Sequence, residues 1–166
     1  GPIRIAELQG TAGSSPSIQR GEGFRSVVKA RTDMVITQSA PADFTENKGK
    51  EVMRELLQVP SEERPQVLFA HNDDMAIGAI EAIKEAGLKP GKDIVILSVD
   101  GSRSALRLLN DGELNAVVEC NPLLGPLLMQ AAKEIMAGRS LPKRMIPPED
   151  IFTQERAEQA IQNRKF

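Results

Sequence analysis

The sequence predicts an α/β domain folded as a doubly wound parallel sheet of about five strands, and three observations point there. Five short apolar or β-branched runs alternate with four longer amphipathic stretches. Two of the runs contain VLFA and IVILSV, nearly continuous hydrophobics of the kind found where helices cover both faces of a sheet. The length of 166 residues, with 40% hydrophobic and 27% charged residues, suits one globular unit.

The elements follow in order. Strands are expected over Ile3–Leu8, Met34–Gln38, Gln66–His71, Ile94–Val99 and Leu114–Glu119. Helices are expected over Pro16–Ala30, Asn47–Gln58, Asp74–Ala86 and Ser102–Asn110, where apolar residues recur at helical spacing. In the third helix Ala76, Ile80 and Ile83 share a face, Asp73 or Asp74 can cap the start, and Gly87 can supply the left-handed residue that ends it. Strands separated by helices pair in parallel, and such sheets bind ligands outside the carboxyl ends of their strands.

Composition narrows the chemistry further. One cysteine, Cys120, and one histidine, His71, exclude an internal disulfide framework and any multi-thiolate or multi-histidine metal centre. Twenty-one basic against 23 acidic residues, with no Trp or Tyr and five Phe, argue against nucleic-acid binding. The longest apolar stretch, Pro122–Met129, is far short of the ~20 residues of a membrane-spanning helix, and no basic segment followed by an apolar run stands at the N-terminus.

The strand ends carry the informative residues. After the first comes the small-residue loop Gln9–Ser15, with Arg20 a turn or so into the helix that follows. The loop could hold an anion on its N–H groups, yet it fits neither a P-loop nor G-x-G-x-x-G, and a tight turn is the plainer reading. Phe44 follows the second strand in a polar loop, either as a plug at the rim of the core or as an apolar platform for the C–H face of a sugar. His71-Asn72-Asp73-Asp74 follows the third strand and Asp100-Gly101 the fourth; carboxamide and carboxylate groups there can chelate adjacent hydroxyls. Asp73, Asp74 and Asp100 could alternatively hold Mg²⁺ for phosphoryl transfer, although the first two are ordinary cap residues. No nucleophile elbow accompanies His71, which reads as a strand-end residue at the sheet rim, and Cys120 reads as a small buried or half-buried hydrophobe.

The runs ELQGTAGSSPSIQRGEGF, SAPADFTENKGKEVM, FAHNDDMAIGAIEAIKEAGLKPGKDI and SVDGSRSAL, in that order, resemble the C-terminal lobe of type I periplasmic sugar-binding proteins, nearest to the ribose and galactofuranose binders of ABC import systems. The resemblance extends from about Ile3 to Gly138 and more loosely beyond. It implies that Arg20 hydrogen-bonds ring oxygen and hydroxyls, that Phe44 stacks on the sugar, and that Asn72 and Asp100 bind hydroxyls, all in one cleft. Ribose binders have a glutamine where this chain has Cys120, so the last polar contact is absent or is replaced by Glu119 or Asn121, which leans away from ribose toward a galactofuranose-like ligand.

The same resemblance implies an architecture and a function. Residues 1–120 are expected to form the C-terminal lobe, 121–152 a hinge crossing and a helix that packs on a missing N-terminal lobe, and 153–166 a returning helix. The function implied is monosaccharide binding for an ABC importer in the periplasm, with membrane subunits as partners, no enzyme activity, no cofactor and no metal. The effector domain of a lactose-repressor-like regulator shares the skeleton and is the alternative. The face of Leu124, Leu127, Leu128, Ala131 and Ile135 needs a partner, so the helix at Leu123–Ala137 is expected to pair with another copy as a homodimer or to fold back on the sheet.

Overall fold

The computed structural model describes all 166 residues. Its elements are β1 (Ile3–Gln9), α1 (Ser15–Lys29), β2 (Met34–Pro41), α2 (Glu46–Leu56), a 3₁₀ turn at Ser61–Glu63, β3 (Val67–Ala70), α3 (Asp73–Glu85), β4 (Val95–Asp100), α4 (Arg103–Asn110), β5 (Ala116–Glu119), α5 (Gly125–Met136), β6 (Ile151–Thr153) and α6 (Gln154–Asn163). All five expected strands and the helices between them are present. They form one sheet in the order β2-β1-β3-β4-β5-β6, parallel except for β6, which runs antiparallel along β5. The sixth strand is an addition to the expected five; at three residues, IFT, it is too short to stand out as a periodic run.

Local chemistry sets the helix starts. Ser14, Thr45 and Ser102 each accept a backbone N–H of the first turn, those of Ser17, Lys48 and Ala105. In α3 the cap is Asn72, whose side chain accepts the Met75 N–H, rather than Asp73 or Asp74. Asp73 is already helical and its carboxylate is turned toward the neighbouring strand end. Gly87, at φ +73, closes α3 as expected.

Ala6, Leu8, Leu68, Ala70, Ile96 and Val117 point from the sheet into one buried cluster with residues of α2, α3 and α4. Helices α2 and α3 approach so closely that a Cβ on Gly78 would stand 1.9 Å from the Glu46 carbonyl oxygen. The alternate strand positions face the other way, where Phe24 of α1 stacks on Phe69 at 4.1 Å between ring centroids. This second face is only partly covered: Val95 is 38% exposed and Val118 43%. The continuous apolar runs therefore overstate the helical cover present on that side.

Beyond β5 the chain leaves the sheet. Helix α5 buries none of its residues, and it does not fold back on the sheet. The chain returns at β6, and α6 packs on α4. Residues 151–166 are thus built into the same body as residues 1–119.

Candidate functional site

The strand order reverses between β1 and β3, so their carboxyl ends lie side by side, with the end of β4 next to them. Arg20 reaches from α1 across this edge. One guanidinium nitrogen donates to the His71 carbonyl, and Nη2 donates to Asp100 Oδ1 at 3.0 Å. The guanidinium carbon lies 5.9 Å from the Phe44 ring centroid, within cation–π range. Asn72 completes the group by donating from Nδ2 to the Phe44 carbonyl at 3.1 Å. The structure thus brings Arg20, Phe44, Asn72 and Asp100 to one edge.

Each is held in place by its loop. Asp43 and Phe44 are both left-handed, at φ 53 and 59, which turns the ring back over β1. The ring occupies the space a side chain at position 10 would need, since a Cβ on Gly10 would fall 1.9 Å from a ring carbon. Phe44 also packs against the edge of the core, so one part of the ring serves as the expected rim plug. Asp100 has φ 121, a conformation few L-residues adopt. Burial pushes its carboxyl up to about 6 against the opposing pull of Arg20, with the charges of Asp73 and Asp74 adding to the rise.

Other residues at this edge are structural. Asp73 is buried; it accepts the Ser98 hydroxyl at 2.5 Å and the N–H groups of Gly101 and Ser102 at 2.8 and 2.6 Å. Its oxygens hold the turn after β4, which removes it from the Mg²⁺ arrangement considered above. His71 lies not at the rim but fully buried. Its Nδ1 accepts the Gly10 N–H at 3.3 Å, so Nε2 carries the proton and donates to Glu7 Oε1 at 3.0 Å. Glu7, also fully buried, additionally takes Arg25 at 2.7 Å and Ser39 at 2.7 Å. Burial alone would raise the Glu7 carboxyl, but the hydrogen bonds from His71, Ser39 and Arg25 outweigh it and bring it to about 2. The sequence reading missed this network; the signal was a carboxylate set between Ala6 and Leu8 inside a strand.

The three residues at the end of β5 diverge. Glu119 is buried and paired with Arg164, and its Oε2 accepts the Asp150 N–H at 3.1 Å. Asn121 turns its side chain to the Leu123 N–H at 2.9 Å. Cys120 is exposed, contrary to the expected burial, because the chain leaves the sheet at this point; its N–H donates to the Asp100 carbonyl at 3.0 Å. A surface hollow of about 310 Å³ lies between α2 and α3, lined by residues including Arg54, Leu57 and Glu85, away from this edge. No group of three His, Cys, Asp or Glu could hold a metal ion.

The chain is 37% identical over 166 residues to the galactofuranose-binding protein YtfQ of Escherichia coli, covering 99% of this chain and 52% of that one. It is 39% identical over 153 residues to the ribose import binding protein RbsB of Bacillus subtilis, covering 92% and 48%. The periplasmic binding protein component of the arabinose ABC transporter from Shewanella sp. ANA-3, solved with α- and β-L-arabinofuranose, superposes with TM-score 0.90 at 41% identity, covering 99% of this chain and 55% of that one. The chain spans about half the length of the curated relatives it matches. The sequence profile of the periplasmic binding protein domain matches residues 1–140, and the fold superposes on that of solved members, so this chain belongs to that family.

Proposed function

We propose that this chain is one lobe of a two-lobed monosaccharide-binding protein serving an ABC importer in the periplasm, and that its ligand is a furanose sugar of the galactofuranose or arabinofuranose kind. The observation that carries the reading is the convergence of Arg20, Asp100, Asn72 and the Phe44 ring on one strand edge. An ionised Asp100 can accept two hydroxyls of a vicinal diol, Arg20 can donate to a ring oxygen, and Phe44 can cover the C–H face. No bond is made or broken. The furanose preference is supported by what YtfQ and the arabinose transporter component are named for binding.

A second lobe is supported by the surface of this one. Helix α5 exposes Leu128 by 65%, Met129 by 62% and Ile135 by 61%, and the open sheet face exposes Val95 and Val118. Apolar surface of this extent marks a contact. Residues 121–152 are accordingly proposed as the crossing and the helix that pack on the other lobe, with Ile151 and Phe152 making the return in β6.

The test is a thermal-shift screen of furanose- and pyranose-forming sugars on the two-lobed protein, followed by calorimetry. At least one sugar is expected to raise Tm and bind at micromolar or tighter Kd. Phe44→Ala and Asp100→Asn should each weaken it by roughly 10- to 100-fold. Because an ionised Asp100 accepts at both oxygens whereas a protonated one loses an acceptor and the charge, and burial raises its carboxyl to about 6, affinity should fall as pH is lowered through that value. The 166 residues alone should bind only very weakly, since the opposing contacts are lacking. Micromolar binding by this lobe alone, or no response to any sugar by the two-lobed protein, would refute the reading.

A further inference from the structure

Arg164, near the end of α6, is 8% exposed although arginine is rarely buried. Its guanidinium lies 5.1 Å from the Phe152 ring centroid and 4.1 Å from that of Phe166, within cation–π range of both. All three nitrogens are engaged. Nε donates to the Gly101 carbonyl, Nη2 to the Asp100 carbonyl at 3.1 Å, and Nη1 to Glu119. The approach requires glycine at 101, because a Cβ there would fall 2.2 Å from Nη2.

The contacts fall on the backbone of Asp100, the site residue whose φ lies farthest from the ordinary regions. Asp100, at φ 121, needs its neighbours to over-determine it. Asp73 grips the turn from one side through the Gly101 and Ser102 N–H groups, and the Cys120 N–H reaches the Asp100 carbonyl from β5. Arg164 grips from the other side. Its charge is met by Glu119, so it does not compete with Arg20 for the Asp100 carboxylate.

We propose that Arg164 is a positioning residue for sugar binding: a buried guanidinium that fixes the backbone of Asp100 and Gly101 so that the Asp100 carboxylate faces the ligand edge. The proposal rests on the sugar-binding reading above. A lysine in its place keeps the charge and loses the planar fork that reaches three acceptors at once.

The experiment compares wild type with Arg164→Lys. The three-bond HN–Hα coupling of Asp100, which reports its φ, is measured in the 166-residue chain, and sugar affinity in the two-lobed protein. Arg164→Lys is expected to unfold cooperatively, to shift the Asp100 coupling, and to raise Kd at least tenfold. Combined with Asp100→Asn it should add little further loss, whereas an arginine with only a general structural role would give additive losses. If Arg164→Lys does not fold, Phe166→Ala, which loosens the guanidinium without removing a donor, should move both readouts in the same direction. A folded variant with unchanged Asp100 coupling and Kd within twofold of wild type would overturn the proposal. If wild type binds no sugar while the coupling still moves, the sugar reading falls and the positioning of Asp100 by Arg164 stands.

Discussion

Glu7 shows how a single buried charge can be stabilising when every oxygen is met. Its carboxylate is fully buried and receives His71, Ser39 and Arg25, and it titrates at about 2, below the ordinary glutamate value of 4.5. A lowered native-state value means that the stabilisation is fully present above pH ~4.5 and is lost as pH falls toward 2. The shift corresponds to about 3 kcal/mol. Glu7→Gln should therefore cost about that much at neutral pH, measured by urea unfolding, and its deficit against wild type should shrink between pH 4.5 and 2. A deficit that stays constant over this range would place the loss elsewhere. This residue also marks what a sequence cannot show: Glu7 and His71 are 64 positions apart, and only the pairing of β1 beside β3 makes them partners. Arg20 and Asp100, by contrast, could be picked out because strand ends and helix starts are local signals; their 3.0 Å contact could not.

At the scale of elements, the tightest constraint is between α2 and α3. A Cβ at Gly78 would meet backbone of Glu46 and Lys50, and one at Gly49 would meet the Met75 backbone at 2.4 Å. Backbone cannot swing aside as a side-chain tip can, so the helices would have to part. Gly78→Ala is expected to destabilise by about 2–3 kcal/mol even though alanine favours helix by ~1 kcal/mol. Gly23→Ala, in α1 with open space around it, should be neutral or stabilising by up to ~1 kcal/mol. Equal melting temperatures for the two variants would contradict the close packing. The pattern of apolar residues was enough to place α3 and the strands it connects, because burial against a sheet imposes helical and strand periods. It was not enough for β6, whose three residues are defined by their pairing with β5, or for the cap of α3, where Asn72 and two aspartates compete within one turn and geometry selects Asn72.

For the whole molecule, the contrast is between a body with a dense core and a helix that has none. Ala76, Ala79 and Ile83 of α3 are buried, whereas Met136 of α5 is 88% exposed. Opening of a helix without buried contacts costs little, so in the 166-residue chain α5 amides should exchange with solvent orders of magnitude faster than those of α3, and should become protected in the two-lobed protein. Equal protection in the chain alone would mean that α5 finds cover here, as a homodimer would provide. The apolar face of this helix was legible from Leu124, Leu127, Leu128, Ala131 and Ile135; what lies opposite it is a property of another surface and leaves no trace in these residues.

The antiparallel return of β6 gives that excursion a mechanical character. Where the chain departs, the Glu119 N–H donates to the Asp150 carbonyl at 2.8 Å, and where it comes back, the Asp150 N–H donates to Glu119 Oε2 at 3.1 Å. Departure and return are therefore riveted at one place. Residues 121–149 thus leave and rejoin the sheet through one doubly hydrogen-bonded pair, so their exit and entry points are held at a fixed spacing.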